Sequence, residues 1–155
     1  MPDKYPHYTE AIALEEEKVF ADRDVEAYLA SLADVPPEIG WLFGADICQD
    51  EVIHDGFEQY FFGHGGLVAP EAVLGFEAIG QTSAALLLKG AMEKFGPEYP
   101  RDRLDRVAVL DDMDEEACIA LQDLETMFIE QVKKEAGGYK KAVNRFAATL
   151  AGKVK

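Results

Sequence analysis

Basic residues are missing from most of this chain. Of 155 residues, 65 in succession (Asp24 to Leu88) include no lysine or arginine, yet hold 11 Asp and Glu. A second run, Val107 to Val132, is again free of lysine and arginine and carries 8 acids. These stretches contribute −11 and −8, more than the whole net charge of −15. Most of the cations fall in the segment Lys89–Arg106 and in the tail from Lys133 onward. Such a distribution argues against direct binding of nucleic acid or of an anionic membrane surface, and for attraction to basic proteins.

Other shortages exclude further classes. The two cysteines, Cys48 and Cys118, make no CxxC and no zinc-ligand set. They read as reduced thiols of a cytoplasmic protein. The longest uncharged runs, 12 residues at Gln59–Pro70 and 11 at Ala78–Leu88, are too short to span a bilayer. Met1–His7 has no apolar core of a signal peptide. The two serines, Ser31 and Ser83, sit in no GxSxG elbow, and the glycine-rich Gly63–Gly66 lacks the GKS or GKT of a phosphate loop. The cysteines have no basic neighbour to activate them. No catalytic residue and no cofactor is expected.

What is present is helical period. Val25, Tyr28, Leu29 and Leu32 follow i, i+3, i+4, i+7. Ala84, Leu87, Leu88, Ala91, Met92 and Phe95 hold the pattern over three turns, and Ala117, Leu121, Leu124, Phe128 and Val132 over four. Tyr139, Val143, Phe146 and Leu150 close the chain in the same way. No alternating β-branched run appears, so the expected class is all-α: one domain over 1–155 of about eight helices, with 152–155 frayed. Pro36-Pro37 opens a helix running toward His54, with Gly56 as its stop. Pro70 suits the first turn of the next helix, and Gly80, Gly96-Pro97 and Gly137-Gly138 punctuate the rest.

Two patterns resemble metal sites and fail. Asp112, Asp114, Glu116 and Asp123 mimic a calcium loop, but its sixth position is Ala117 where glycine is needed, and its twelfth is Asp. Asp112 or Asp114 as a helix cap, with Glu115 and Glu116 in the first turn, fits better. His54-Asp55 lacks the further ligands of a metal phosphohydrolase, since only His7 and His64 remain. The aromatics Phe57, Tyr60, Phe61, Phe62 and Phe76, with Trp41 and Phe43, read as core. A base-stacking platform would need accompanying Arg or Lys, which the surrounding sequence lacks.

One acidic pattern stands out. On a continuous helix at 100° per residue, Asp112, Glu116, Asp123 and Glu130 fall in a stripe about 40° wide and about 27 Å long, opposite Leu121, Leu124 and Phe128. Carboxylates one turn apart would be roughly 5–6 Å from each other, the order of the charge spacing along a nucleic acid.

The run Asp55-Gly56-Phe57-Glu58-Gln59-Tyr60-Phe61-Phe62, the glycine-rich loop after it, and then Ala69-Pro70-Glu71-Ala72-Val73 and Ala78-Ile79-Gly80 carry a family resemblance. They resemble a bacterial family of small acidic helical proteins, formerly a domain of unknown function and now named for a member that imitates double-stranded DNA. The likeness is densest over 51–95 and extends over about 36–132. Gly63 and Gly66-Leu67 depart from the family pattern, which has an Asn after the aromatics and a Gly-Asp pair in the loop. The resemblance implies an all-α fold, dimerisation and no enzymatic activity. Mimicry itself depends on surface charges outside the signature.

Together these readings point to a non-enzymatic acidic interaction protein. Its carboxylates would bind the basic, DNA-contacting surface of a transcription regulator such as a helix-turn-helix protein. The residues expected to carry this are Asp46, Asp50, Glu51, Asp112, Glu115, Glu116, Asp123 and Glu130. Two alternatives stay open. One is an acidic structural or immunity-type module with a basic partner unrelated to DNA. The other is a small-ligand domain using Glu58, Gln59 and His64 beside a pocket at Gly63–Gly66.

Overall fold

The computed structural model describes residues 24–150. Within them the chain forms seven α-helices and no strand: α1 (Val25–Ala33), α2 (Pro37–Phe62), α3 (Ala69–Ala78), α4 (Thr82–Met92), α5 (Arg103–Asp112), α6 (Glu115–Lys134) and α7 (Tyr139–Leu150). Short 3-10 segments, His64–Val68, Glu93–Phe95 and Glu135–Gly137, join them. The all-α class is as the periodicity indicates. The fraying expected at 152–155 lies outside the described residues.

Helix starts follow capping chemistry. The Asp24, Asp102 and Asp114 carboxylates accept from the backbone N–H of Glu26 (2.9 Å), Leu104 (3.0 Å) and Ala117 (2.8 Å). Each satisfies a donor that the first turn leaves free. Pro37 and Pro70 stand in first turns, where their missing N–H costs nothing.

The centre of the molecule is the packing of α2 on α3. It is close because Gly44 and Gly75 face it. A Cβ on Gly44 would come within 2.7 Å of Ala72 N, and one on Gly75 would strike the Trp41 carbonyl oxygen. Behind this contact the aromatics gather, as expected for core. Phe128 of α6 lies between Phe57 (centroids 5.1 Å apart) and Phe76 (5.4 Å, edge to face). Phe61 packs on Phe95 at 4.8 Å. Phe57, Phe61, Phe76 and Phe128 are all fully buried. The two basic-free stretches therefore meet through the core, one supplying α2 and α3, the other α6.

Three expectations need correction. Gly56 does not end its helix. It takes φ 89° and ψ 169°, a conformation few residues but glycine adopt, and the chain turns there and resumes as helix to Phe62. The helix expected to run through Asp112 is broken at Met113, whose ψ of 132° separates α5 from α6. Phe62 is 39% exposed, and the Arg103 guanidinium lies over its ring at 5.0 Å. The cation that the local sequence lacks is brought in from α5.

Substituting Gly75→Ala should lower stability by about 1–3 kcal/mol, the usual cost of overpacking a contact that cannot relax. Urea denaturation checks this. An unchanged midpoint would mean that the α2–α3 contact gives way easily.

Candidate functional site

At the Gly56 turn the amide of Phe57 is left without a helical acceptor. The Glu125 carboxylate of α6 supplies one, with Oε1 accepting from Phe57 N–H at 2.6 Å. A side chain at Gly56 would collide with this carboxylate. Glu125 thus caps the second half of α2 from another helix and holds α6 against the turn.

The C-terminal end of α2 is held by a buried cation. Arg106 of α5 has no exposed surface. Its Nε donates to Phe61 O (2.9 Å), one terminal nitrogen to Gly63 O (2.9 Å), and the other to Pro100 O (3.3 Å) and to Arg101 O. Desolvation lowers its pKa from the ordinary 12.5. Guanidinium starts so high that it stays charged. Its partners are carbonyls at the negative end of a helix and in a loop.

Neighbouring side chains complete this strap over the glycine-rich segment. Tyr99 Oη donates to Gly66 O (2.7 Å), and Arg103 donates to Phe62 O (2.8 Å). Arg101 forms a two-pronged pair with Glu71, both contacts at 2.8 Å, and the Tyr28 hydroxyl donates to the same carboxylate at 2.8 Å. The face of Gly66 that a ligand would approach is filled by Arg106, and that of Gly65 by the Glu51 carboxylate. At Gly65 and Gly66 the space that the small-ligand alternative needs is therefore taken by the protein's own side chains.

A cleft of about 480 Å³ opens elsewhere, between α2, α5 and α6. Leu110, Met113 and Leu121 supply its apolar surface, and Asp55, Glu58 and Glu125 its carboxylates. Every residue lining it lies between positions 55 and 59 or between 110 and 126. Both ranges fall inside the basic-free stretches, so among the described residues no cation lines the cleft.

The eight expected site residues are distributed as follows. Asp112 ends α5. Glu115 and Glu116 occupy the first turn of α6, and Asp123 and Glu130 lie further along it. All five are exposed. The break at Met113 takes Asp112 off the stripe, leaving Glu116, Asp123 and Glu130 over about 21 Å of α6. Glu130 is paired with Lys134 at 2.7 Å, which lowers its carboxyl pKa. On α2, exposed Asp50 stands 3.4 Å from His54 Nδ1, whereas Asp46 and Glu51 are half-buried. Burial pushes the Glu51 carboxyl pKa up, with Asp50 and Asp55 adding repulsion. None of the eight lines the cleft. Of its acids, Glu58 belongs to the small-ligand alternative and Asp55 to the rejected His54-Asp55 pattern; that they meet Glu125 is not legible in the sequence, because the cleft arises from the turn at Gly56 and the break at Met113. Glycine between Asp55 and Glu58 was the available signal. Among the described residues no helix is long and apolar enough to cross a membrane, and no three His, Cys, Asp or Glu side chains are placed to hold a metal ion.

A family model described as DMP19-like protein matches residues 33–149. No curated protein and no solved structure matches the chain.

Two outcomes follow from the site's electrostatics. Arg106→Met leaves four carbonyls short of a donor and should cost on the order of 3 kcal/mol. Arg106→Lys should restore only part of this, because an ammonium cannot span the same acceptors. Equal stability of the Lys variant and the parent in urea would contradict the strap. For Glu51 the folded pKa lies above the unfolded value near 4.5, so its ionisation opposes folding. That penalty is absent below about 4.5, grows as pH rises and is complete above the folded pKa. Glu51→Gln should therefore raise Tm at pH 7, and the gain should vanish as pH falls toward 4.5. A constant difference across that range would assign the effect to packing.

Proposed function

We propose, from the premise that this chain belongs to the DMP19-like family, that it is a non-enzymatic interaction protein whose acidic face imitates the charge of duplex DNA. The occupant of that face would be the basic, DNA-contacting surface of a DNA-binding protein, a helix-turn-helix regulator being the type that fits. Capture of such a partner would keep it from its operator.

The observation that carries this reading is the joining of the two basic-free stretches. They meet in the core through Phe57, Phe76 and Phe128 and at the surface around one cleft. Next to that cleft the exposed acids Asp111 and Asp112 end α5, while Glu116 and Asp123 are exposed on the side of α6 opposite Leu121. The arginines nearest in sequence do not neutralise them. Arg106 is spent on carbonyls, Arg101 on Glu71, and Arg103 on Phe62. Clustered carboxylates of this kind raise the rate of encounter with a basic surface and weaken with salt.

The test is capture from native lysate at low salt, elution at high salt, and competition of each captured protein with duplex DNA. The expected result is a DNA-binding protein that duplex displaces. Captured proteins that have no affinity for DNA would refute mimicry and favour an acidic module of another kind. The combined change Asp112→Lys, Glu116→Lys, Asp123→Lys and Glu130→Lys should abolish capture while leaving helix content by circular dichroism intact. Glu130→Lys alone should do little, since Lys134 already neutralises that position.

A further inference from the structure

The cleft between α2, α5 and α6 carries a more specific assignment, which rests on the reading of the acidic face given above. We propose that it is a socket for one arginine side chain of the partner, the apolar stem entering along the cleft and the guanidinium meeting its carboxylates.

Its surface has two chemistries, and an arginine side chain has the same two. Leu110, Met113 and Leu121 offer apolar contact to an aliphatic stem. Asp55, Glu58 and Glu125 offer charge to its head, with the Gln59 and Gln122 amides beside them. A volume of about 480 Å³ lies within the usual range for small-ligand sites, so one long side chain enters with room for water. The carboxylates are not gathered tightly enough to hold a metal ion. Spread acceptors of this kind suit a wide planar cation with five donors better than a point charge. Glu125 commits Oε1 to Phe57 N–H, and a carboxylate retains acceptor capacity beyond one such bond. Among the described residues no lysine or arginine lines the cleft.

Cys118 lines the same cleft, half-buried, and makes occupancy measurable. The other thiol, Cys48, is fully buried and its pKa is pushed up by desolvation, so it stays silent. The experiment measures alkylation of Cys118 in the full chain by iodoacetamide while n-butylguanidinium is titrated. Saturable slowing of alkylation is expected. Guanidinium ion without a stem, and n-butylammonium, should each need higher concentrations. Glu58→Gln should weaken the protection roughly tenfold, the order expected for loss of a charge-assisted hydrogen bond. Glu125→Gln keeps an oxygen to cap Phe57, so the chain should remain folded with a small loss of Tm, and protection should weaken similarly.

Protection that does not saturate, or that both variants leave unchanged, would overturn the socket. Equal binding of n-butylammonium would overturn its assignment to arginine. The separate duplex competition distinguishes the two readings. Saturable protection with no competition by DNA leaves the socket and removes mimicry, while competition without protection does the reverse.

Discussion

The structure depends on a single buried cation. Arg106 ties the end of α2 and the Gly63 carbonyl to the segment preceding α5, using backbone acceptors alone. Removing charge from water is costly, and only near-complete hydrogen bonding offsets that cost. Here the carbonyls at a helix C-terminus, already partly negative, provide it. The consequence reaches the surface. Satisfied by carbonyls, Arg106 draws no aspartate or glutamate side chain into its hydrogen bonds, so the brace is built without taking an acid from the surface. The same brace holds α5 against the end of α2, and Leu110 near the far end of α5 lines the cleft.

The acids divide into two populations by what they touch. Asp24, Asp102 and Asp114 cap their own helices. Glu125 caps the second half of α2, and Glu135 caps α4 through the amides of Ser83 (2.9 Å) and Ala84 (3.0 Å). Glu71 is held by Arg101 and Tyr28. These carboxylates answer demands of the backbone or core. Asp111, Asp112, Glu115, Glu116 and Asp123 answer none of that kind beyond the helix dipole and stay exposed. Counting charge along the sequence mixes the two populations; contacts separate them. Glu125 belongs to both, since it satisfies a backbone amide and lines the cleft.

This division marks what could be read from the sequence. Helical periodicity, proline at first turns and glycine at stops were sufficient for the class and for most boundaries, because those are local effects. Asp114 as a cap was equally legible. The broken helix at Met113 was not. The apolar repeat continues across the junction, and only the Asp114 cap, which competes with continued helix, ends it. The turn at Gly56 was mistaken for a stop because its repair comes from Glu125, 68 positions away. The burial of Arg106 was invisible for the same reason: its acceptors are carbonyls, which every residue has. The exposed acids of α6 were found, whereas those of the cleft require two helix interruptions to coincide in space.

A face this acidic must coexist with folding, and the placement of its charges shows how. Asp114, Glu115 and Glu116 stand at the N-terminus of α6, and Lys133 and Lys134 in its last turn, both favourable to the helix dipole. Asp111 and Asp112 are different. They close α5, at the end where the dipole disfavours negative charge, and that last turn holds no basic residue. They also adjoin the acidic first turn of α6 across the break at Met113, so each adds to the repulsion felt by the other. Nothing within α5 offsets them, and the cation that shares a surface depression with Asp112 and Asp114 is Lys94, from the 3-10 segment after α4. Residues that violate a local rule without a structural return are the ones to associate with binding. By that criterion the α5–α6 junction, bordering the cleft, is the part of the acidic surface that the helix dipole explains least.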